Sequence, residues 1–255
     1  MATSMTASGR PPANSPTTLV QIAEARLRAD ILSGVVAPHQ KLRVEELKTR
    51  YDMGASPVRE ALSRLVGEGL VTFEGNKGFR VTGLSRADLA DIADMRTAIE
   101  THGVRRAIKR GDAEWEAGIL AALHRLVRAT ERTASDDGAG LDAWTAAHDG
   151  FHFALVSACG SERVFEFQRR LAEQHNRYRR ILMGANIPRA VVIAEHRALA
   201  EAVLDRDAAR ATELLRRHMW ITYEFYGRVL AGEAEPARTD IAALIPATPP
   251  PTQMA

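Results

Sequence analysis

The chain of 255 residues has a single cysteine, Cys159. An intramolecular disulfide is therefore impossible, and a reducing cytoplasm is the expected compartment. Long apolar runs are missing as well. Hydrophobic residues make up 45% of the chain and charged residues 26%, and the charges interrupt every apolar stretch short of membrane-spanning length. No apolar segment follows a basic start at the N-terminus, so no signal peptide is expected. The chain also lacks a strong net charge: 34 Lys/Arg against 32 Asp/Glu leave +2. Common catalytic signatures are absent. There is no Gly-rich phosphate loop and no nucleophile elbow, and His148-Asp149-Gly150-Phe151-His152 lacks the glutamate that serves as base in HExxH.

What is there divides the chain into parts. Residues 1–17 and 232–255 are rich in Ala, Thr and Pro without apolar period, and are expected to be disordered tails. Residues 18–82 read as one domain, 83–86 as a connector and 87–231 as a second domain. Residues 1–82 carry 11 Lys/Arg against 8 Asp/Glu, and the remainder 23 against 24, so the front part is mildly basic and compatible with nucleic acid.

Leu19, Ile22, Ala23, Leu27 and Ile31 recur at helical spacing and predict a helix over 19–33. A shorter helix over 44–51 follows, with Leu47 and Tyr51 inward. Val58, Ala61, Leu62 and Leu65 then line one face of a helix in which Ser56 suits the cap and Pro57 the first turn. Arg59 and Ser63 fall off that face and point outward. Two helices joined by a tight turn containing Gly54 are either a helix-turn-helix or a plain helical hairpin in a core. Val71-Thr72-Phe73 and Phe79-Arg80-Val81 alternate around Glu74-Gly75-Asn76-Lys77-Gly78, the pattern of a β-hairpin. Three helices and a hairpin make a winged helix-turn-helix, with Lys77 and Gly78 at a tip able to approach a phosphate backbone.

From Ser85 onward only helical patterns recur, so the second domain is expected to be an all-α bundle and the fold mainly α. Ser85 and Asp112 are helix starts, and Leu89, Ile92, Ala93, Met95, Ile99 and Val104 organise the first bundle helix. Gly138 to Gly140 is a break, Leu141 to Cys159 a helix, and a further helix ends near Gly184. Asn186-Ile187-Pro188 starts another, and the last runs from Asp207 to Leu230. His148 and His152 are four apart and project from one helix face, a common arrangement for a transition metal. His196 and His218 lie beside apolar faces of two later helices and are candidates to complete the set. Each has a bland alternative as a hydrogen-bonded core histidine. Arg177 and Tyr178, in the basic run Gln174 to Arg180, either sit on a solvated face or line a cavity and hold a carboxylate. Arg96 is either an exposed helix partner of Glu100 or a ligand-binding residue.

Gln40-Lys41-Leu42-Arg43-Val44-Glu45-Glu46-Leu47, Ser56 to Leu65 and Glu68-Gly69-Leu70-Val71 resemble the winged-helix domain of the GntR family of bacterial transcription regulators. Phe151-His152, Glu195-His196-Arg197-Ala198-Leu199, Asp207 to Ala211 and Arg217-His218 look like the FCD ligand-binding domain of the FadR subfamily, close to the glutarate-utilisation repressor branch. The resemblance implies a homodimeric, cytoplasmic regulator, expected to be a repressor, that binds operator DNA and a small carboxylate effector such as a dicarboxylate or sugar acid. It implies a divalent transition metal, zinc or nickel, held by His152, His196 and His218, with His148 where the family has Asp. Arg96 matches an arginine placed near the effector. Arg59 matches a base-reading arginine, Arg43 and Arg50 are candidates for DNA contact, and Gly78 fits the wing tip. Ala55 stands where many relatives carry a second base-reading arginine, a difference bearing on about 1–3 kcal/mol of discrimination. The alternative is a metal-dependent enzyme domain fused to a winged helix.

Overall fold

The computed structural model describes residues 18–132, 138–182 and 189–233. Both expected tails, apart from Gly232 and Glu233, lie outside these residues, as does the predicted helix start at 186–188. The chain forms two compact units: residues 1–29 with 39–82, and residues 30–38 with 83–255. Helix α1 (Leu19–Leu32) runs from the first into the second.

In the first unit, α2 (Val44–Tyr51) and α3 (Ala55–Gly67) bury the residues their spacing selects: Leu47 and Tyr51 from one, Val58, Ala61, Leu62 and Leu65 from the other. Ala23 and Leu27 of α1 are fully buried too. Asp52 makes the tight turn, adopting a left-handed conformation at φ 52° while its N–H bonds the carbonyl of Lys48. Gly54, not Ser56, is the residue that precedes α3, and no side chain caps it. The expected Ser56 cap is therefore displaced: the helix starts two residues early, and Ser56 is already within its first turn. Strands β1 (Lys41–Leu42), β2 (Val71–Glu74) and β3 (Gly78–Val81) form an antiparallel sheet in the order β1-β3-β2. Val71 pairs with Val81 and Phe73 with Phe79, so the wing hairpin forms where the alternation predicts it. The two-residue β1, paired through Leu42 to Phe79, was hidden in a segment too short to alternate.

The second unit is a bundle of α4 (Arg86–Arg110), α5 (Ala113–Arg132), α6 (Gly138–Val156), α7 (Glu162–Leu182), α8 (Arg189–Leu204) and α9 (Ala208–Leu230). The Ser85 hydroxyl caps α4 by accepting from Asp88 N–H at 3.1 Å, Asp112 caps α5 through Trp115 N–H at 2.9 Å, and Asp207 caps α9. α6 begins at Gly138, so the expected break at Gly138 to Gly140 is the helix start. Helix α4 packs on α6, α7 and α9, and α5 on α6 and α8. Gly103 permits a close approach of α4 to α6 and α7: a Cβ there would stand 2.8 Å from Val156 and 3.0 Å from Val164. Met95, expected inside, is half exposed, because the buried stripe of α4 runs through Leu89, Ile92, Ala93, Arg96, Glu100, Gly103 and Val104. That stripe places two charged residues in the middle of an apolar face.

Candidate functional site

The charged residues of α4 meet the histidines. His148 and His152 from α6, His196 from α8 and His218 from α9 each offer a ligand atom, and these atoms lie within 4.8 Å of one another. The rings face each other at centroid separations of 4.7 to 5.7 Å. The i,i+4 spacing on α6 brings two of them together, and the packing of α8 and α9 supplies the others.

Three of the four rings are oriented by acceptors. His152 Nδ1 donates to Glu100 Oε2 at 2.8 Å, His196 Nδ1 to the Val192 carbonyl at 2.7 Å, and His218 Nδ1 to Glu195 Oε2 at 3.1 Å. A carbonyl or carboxylate can only accept, so each proton sits on Nδ1 and Nε2 keeps its lone pair. The Nε2 atoms of His152 and His196 are buried without a hydrogen-bond partner. A buried acceptor left bare inside a ring of three others is costly unless something completes it. Neutral imidazoles of fixed tautomer, converging at this range, fit a divalent transition metal. His148 is less constrained, with Asp149 Oδ1 at 3.5 Å and Arg179 Nη2 at 3.4 Å from its Nδ1, both too long to set the tautomer. His218 is the least buried of the four, and its partner Glu195 lines a cavity of about 410 Å³ between α8 and α9, with Leu214 and Arg217.

Electrostatics keep the rings ready to ligate. Burial, reinforced by Arg179 and the neighbouring rings, holds His148 well below the usual histidine range. Burial does the same for His196, and it lowers His152 despite the opposing pull of Glu100. Glu100 stays ionised: burial alone would raise its carboxyl, but Arg96 and His152 bring it down to about 2. Arg96 donates from Nε and Nη2 to Glu100 Oε1 at 3.0 and 2.8 Å, both side chains about 1–2% exposed. The pairing of Arg96 with Glu100 is thus correct and its expected exposure is not. The pair is buried and leads through Glu100 to His152.

The basic run on α7 splits in a way the sequence did not disclose. Arg177 and Tyr178, the two expected effector residues, occupy a different place. The Tyr178 hydroxyl donates to Asp88 Oδ2 at 2.6 Å and accepts from Ser85 N–H at 3.1 Å. Arg177 is buried on the same side, where burial lowers its pKa against the opposing charges of Tyr178 and Asp88. The residues at 175 and 179, four apart on α7, share a face, and Arg179 on it reaches the histidines. Arg179 is 3% exposed, stacks on the Trp144 ring at 4.8 Å, and donates to Asn176 Oδ1 at 2.7 Å. No carboxylate pairs with it among the described residues. His175 is buried, with Nδ1 unpartnered and its ring 5.6 Å from that of Tyr226. Gln168 donates to the His152 carbonyl at 3.1 Å and leaves Oε1 unpartnered. Gln168, Ala172, His175 and Arg179 recur at 4, 3 and 4 on α7. That spacing was the available signal, obscured because the apolar members of the stripe are few.

On the winged helix, Ser56, Arg59 and Ser63 are exposed on α3, and Pro57 partly so. The Arg59 guanidinium has no partner among the described residues. Arg43 pairs with Glu46 at 2.7 Å in the open, and Arg50 lies over Tyr51 at 5.8 Å. Lys77 pairs with Glu74 at 3.0 Å beside Gly78, whose φ of +81° makes the turn into β3. Ala55 opens α3 and is partly buried.

The model of the FCD domain matches residues 91–220, and that described as bacterial regulatory proteins, gntR family, matches residues 19–81. BphR of Paraburkholderia xenovorans, described as an uncharacterised HTH-type transcriptional regulator, is 43% identical over 201 residues, 79% of this chain and 82% of that protein. The HTH-type transcriptional repressor GlaR of Escherichia coli is 40% identical over 210 residues, 81% of this chain and 94% of that protein. In fold, the chain is similar to a GntR regulator from Rhodococcus sp. RHA1, with a TM-score of 0.65 at 22% identity over 83% of this chain and 97% of that one. No described helix is long and apolar enough to cross a membrane. The enzyme alternative falls away, because the family and the relatives are transcription regulators. The chain belongs to the GntR family of bacterial regulatory proteins: it is a DNA-binding transcription regulator with an FCD domain.

Proposed function

We propose that the chain is a cytoplasmic, homodimeric repressor released from its operator by a small organic acid bound beside a histidine-held metal ion. The convergence of His148, His152, His196 and His218 within 4.8 Å, with bare buried Nε2 atoms on two of them, carries the reading. Zinc and nickel both suit an all-imidazole donor set. The metal would supply positive charge that attracts an acidic ligand. The chain's own residues do the rest. Glu100, the Val192 carbonyl and Glu195 orient three rings. Arg179, a buried guanidinium that pairs with no carboxylate among the described residues, receives the ligand's anionic end, and Arg96, held on Glu100, is the second contact. A site with two guanidinium groups favours a dicarboxylate or sugar acid. On the DNA side, Arg59 and Ser63 face base edges from α3, Ser56 and Pro57 bring the helix start to the groove, and Arg43, Arg50, Lys77 and Gly78 serve the phosphate backbone. That the similar GlaR is a transcriptional repressor supports the sign of the response.

Elemental analysis of protein purified without a histidine tag is expected to find about one equivalent of metal, as in sites with this ligand count. A His152→Ala, His196→Ala double variant should lose it; retention would reject the ligand set. In gel-shift titrations with the chain's own upstream region, binding at low salt should weaken on addition of a C4 to C6 dicarboxylate. Absence of DNA binding at low salt would reject the regulator's proposed operator.

A further inference from the structure

We propose that Tyr178 is a positioning residue that ties occupancy of the histidine centre to the first turn of α4, the point where the bundle is joined to the winged helix. The inference rests on the metal-and-effector reading above. Ser85 caps α4 and stands three residues beyond Thr82, the last residue of the winged-helix unit. Its N–H donates to the Tyr178 hydroxyl, and that hydroxyl donates to Asp88 one turn into the helix. Tyr178 is 1% exposed and seated among Leu89, Ile92, Ile221 and Phe225, so its ring has one place to be.

The neighbouring residue, Arg179, reaches the other way, to 3.4 Å from His148. A cation held by the histidines repels that guanidinium, and an anion beside it attracts it. Either force falls on the turn of α7 that carries Tyr178. Ile181 lies on the following turn, 3.7 Å from where a Cβ on Gly34 would stand, in the segment that returns from α1. The turn that carries Tyr178 and Arg179 thus meets the histidine centre through one residue and the start of α4 through the other, with Ile181 on the next turn beside the backbone at Gly34. Tyr178 was placed by its basic neighbours among the ligand residues; its bonds give it the role of transmitting rather than receiving.

Hydrogen exchange of the full chain tests this, with zinc ion alone as the probe against a chelated control. In the wild type, zinc should slow exchange on α6, α8 and α9 and, through Tyr178, slow or speed the Ser85 to Leu89 amides by about tenfold, the scale of a modest coupling between sites. In Tyr178→Phe the response at the histidine helices should persist while that at Ser85 to Leu89 falls below about twofold. Asp88→Ala, an exposed position that removes the acceptor without touching the core, should do the same. A Ser85 to Leu89 response that survives in both variants, or is missing in the wild type while the histidine helices respond, overturns the inference alone. No zinc response anywhere removes the metal reading and the inference with it.

Discussion

In the winged-helix unit the buried side chains are apolar: Leu27, Leu42, Leu47, Tyr51, Val58, Ala61, Leu62, Leu65, Val71 and Val81. Its charges stand outside, in exposed pairs such as Arg43 with Glu46 and Arg64 with Glu60. In the bundle, Arg96, Glu100, His148, His152, Gln168, His175, Arg177, Arg179 and His196 are all buried, and among the described residues every buried polar or charged side chain belongs to this unit. The first unit keeps its chemistry on the surface because its proposed partner is a large polyanion met from outside. The second keeps its chemistry inside, where a small ligand can be desolvated and each charge acts through a low dielectric. Stability and function are therefore separable in the first unit and entangled in the second.

The entanglement should be most visible at Glu100. Glu100→Ala strands the Arg96 guanidinium and frees the His152 ring, and breaking a buried pair in this way costs about 3–5 kcal/mol. Chemical denaturation should record that loss, and metal affinity should fall with it. A variant that unfolds like the wild type would break the contrast between the units. Acidity should come next. The folded pKa values of His148, His152, His175 and His196 lie below the ordinary 6.5, so the unfolded chain takes up protons that the folded chain refuses. Their stabilising contribution is full above pH 6.5 and declines as pH falls below it. The melting temperature of chelator-treated protein should drop between pH 7 and 5; a flat profile would argue that these rings are open to water.

Smaller effects belong to the winged helix. Arg59→Ala should weaken operator binding by about 1–3 kcal/mol, the scale of a base contact. Its melting temperature should hardly move, because the side chain supports nothing in the fold; an equal loss of stability would erase the distinction. Smallest is Ser56→Ala, expected to alter stability by less than about 0.5 kcal/mol, since the hydroxyl caps nothing. A cost near 1 kcal/mol would restore the capping role that the sequence suggests.

The same contrast explains what could be read in advance. Periodicity located α2, α3, the hairpin and the bundle helices, because an apolar stripe reports which face is buried. It also found the four histidines, through the i,i+4 pair and through likeness to a known domain. It misplaced Met95 and missed Arg179, His175 and Gln168 for one physical reason. Where a helix buries polar residues, hydrophobic spacing no longer marks the inner face, and Gln174 to Arg180 looks like a solvated run. Ser56 failed differently: cap preference is local, and the helix after the αL turn at Asp52 starts two residues before the position that a Ser56 cap implies.

The seating of Arg179 on Trp144 has a further use. The indole N–H is anchored to Thr130 at 3.0 Å, its face is covered by the guanidinium at 4.8 Å, and the His148 ring lies 5.0 Å away. Trp115 is held elsewhere, under Arg206, and Trp220 lies with the Tyr178 cluster. With Trp115→Phe and Trp220→Phe in place, the remaining fluorophore is a built-in optical gauge. Its emission should shift when the histidines take up a metal, and again when an acid draws Arg179 from the ring, so that the two events can be followed separately in one cuvette.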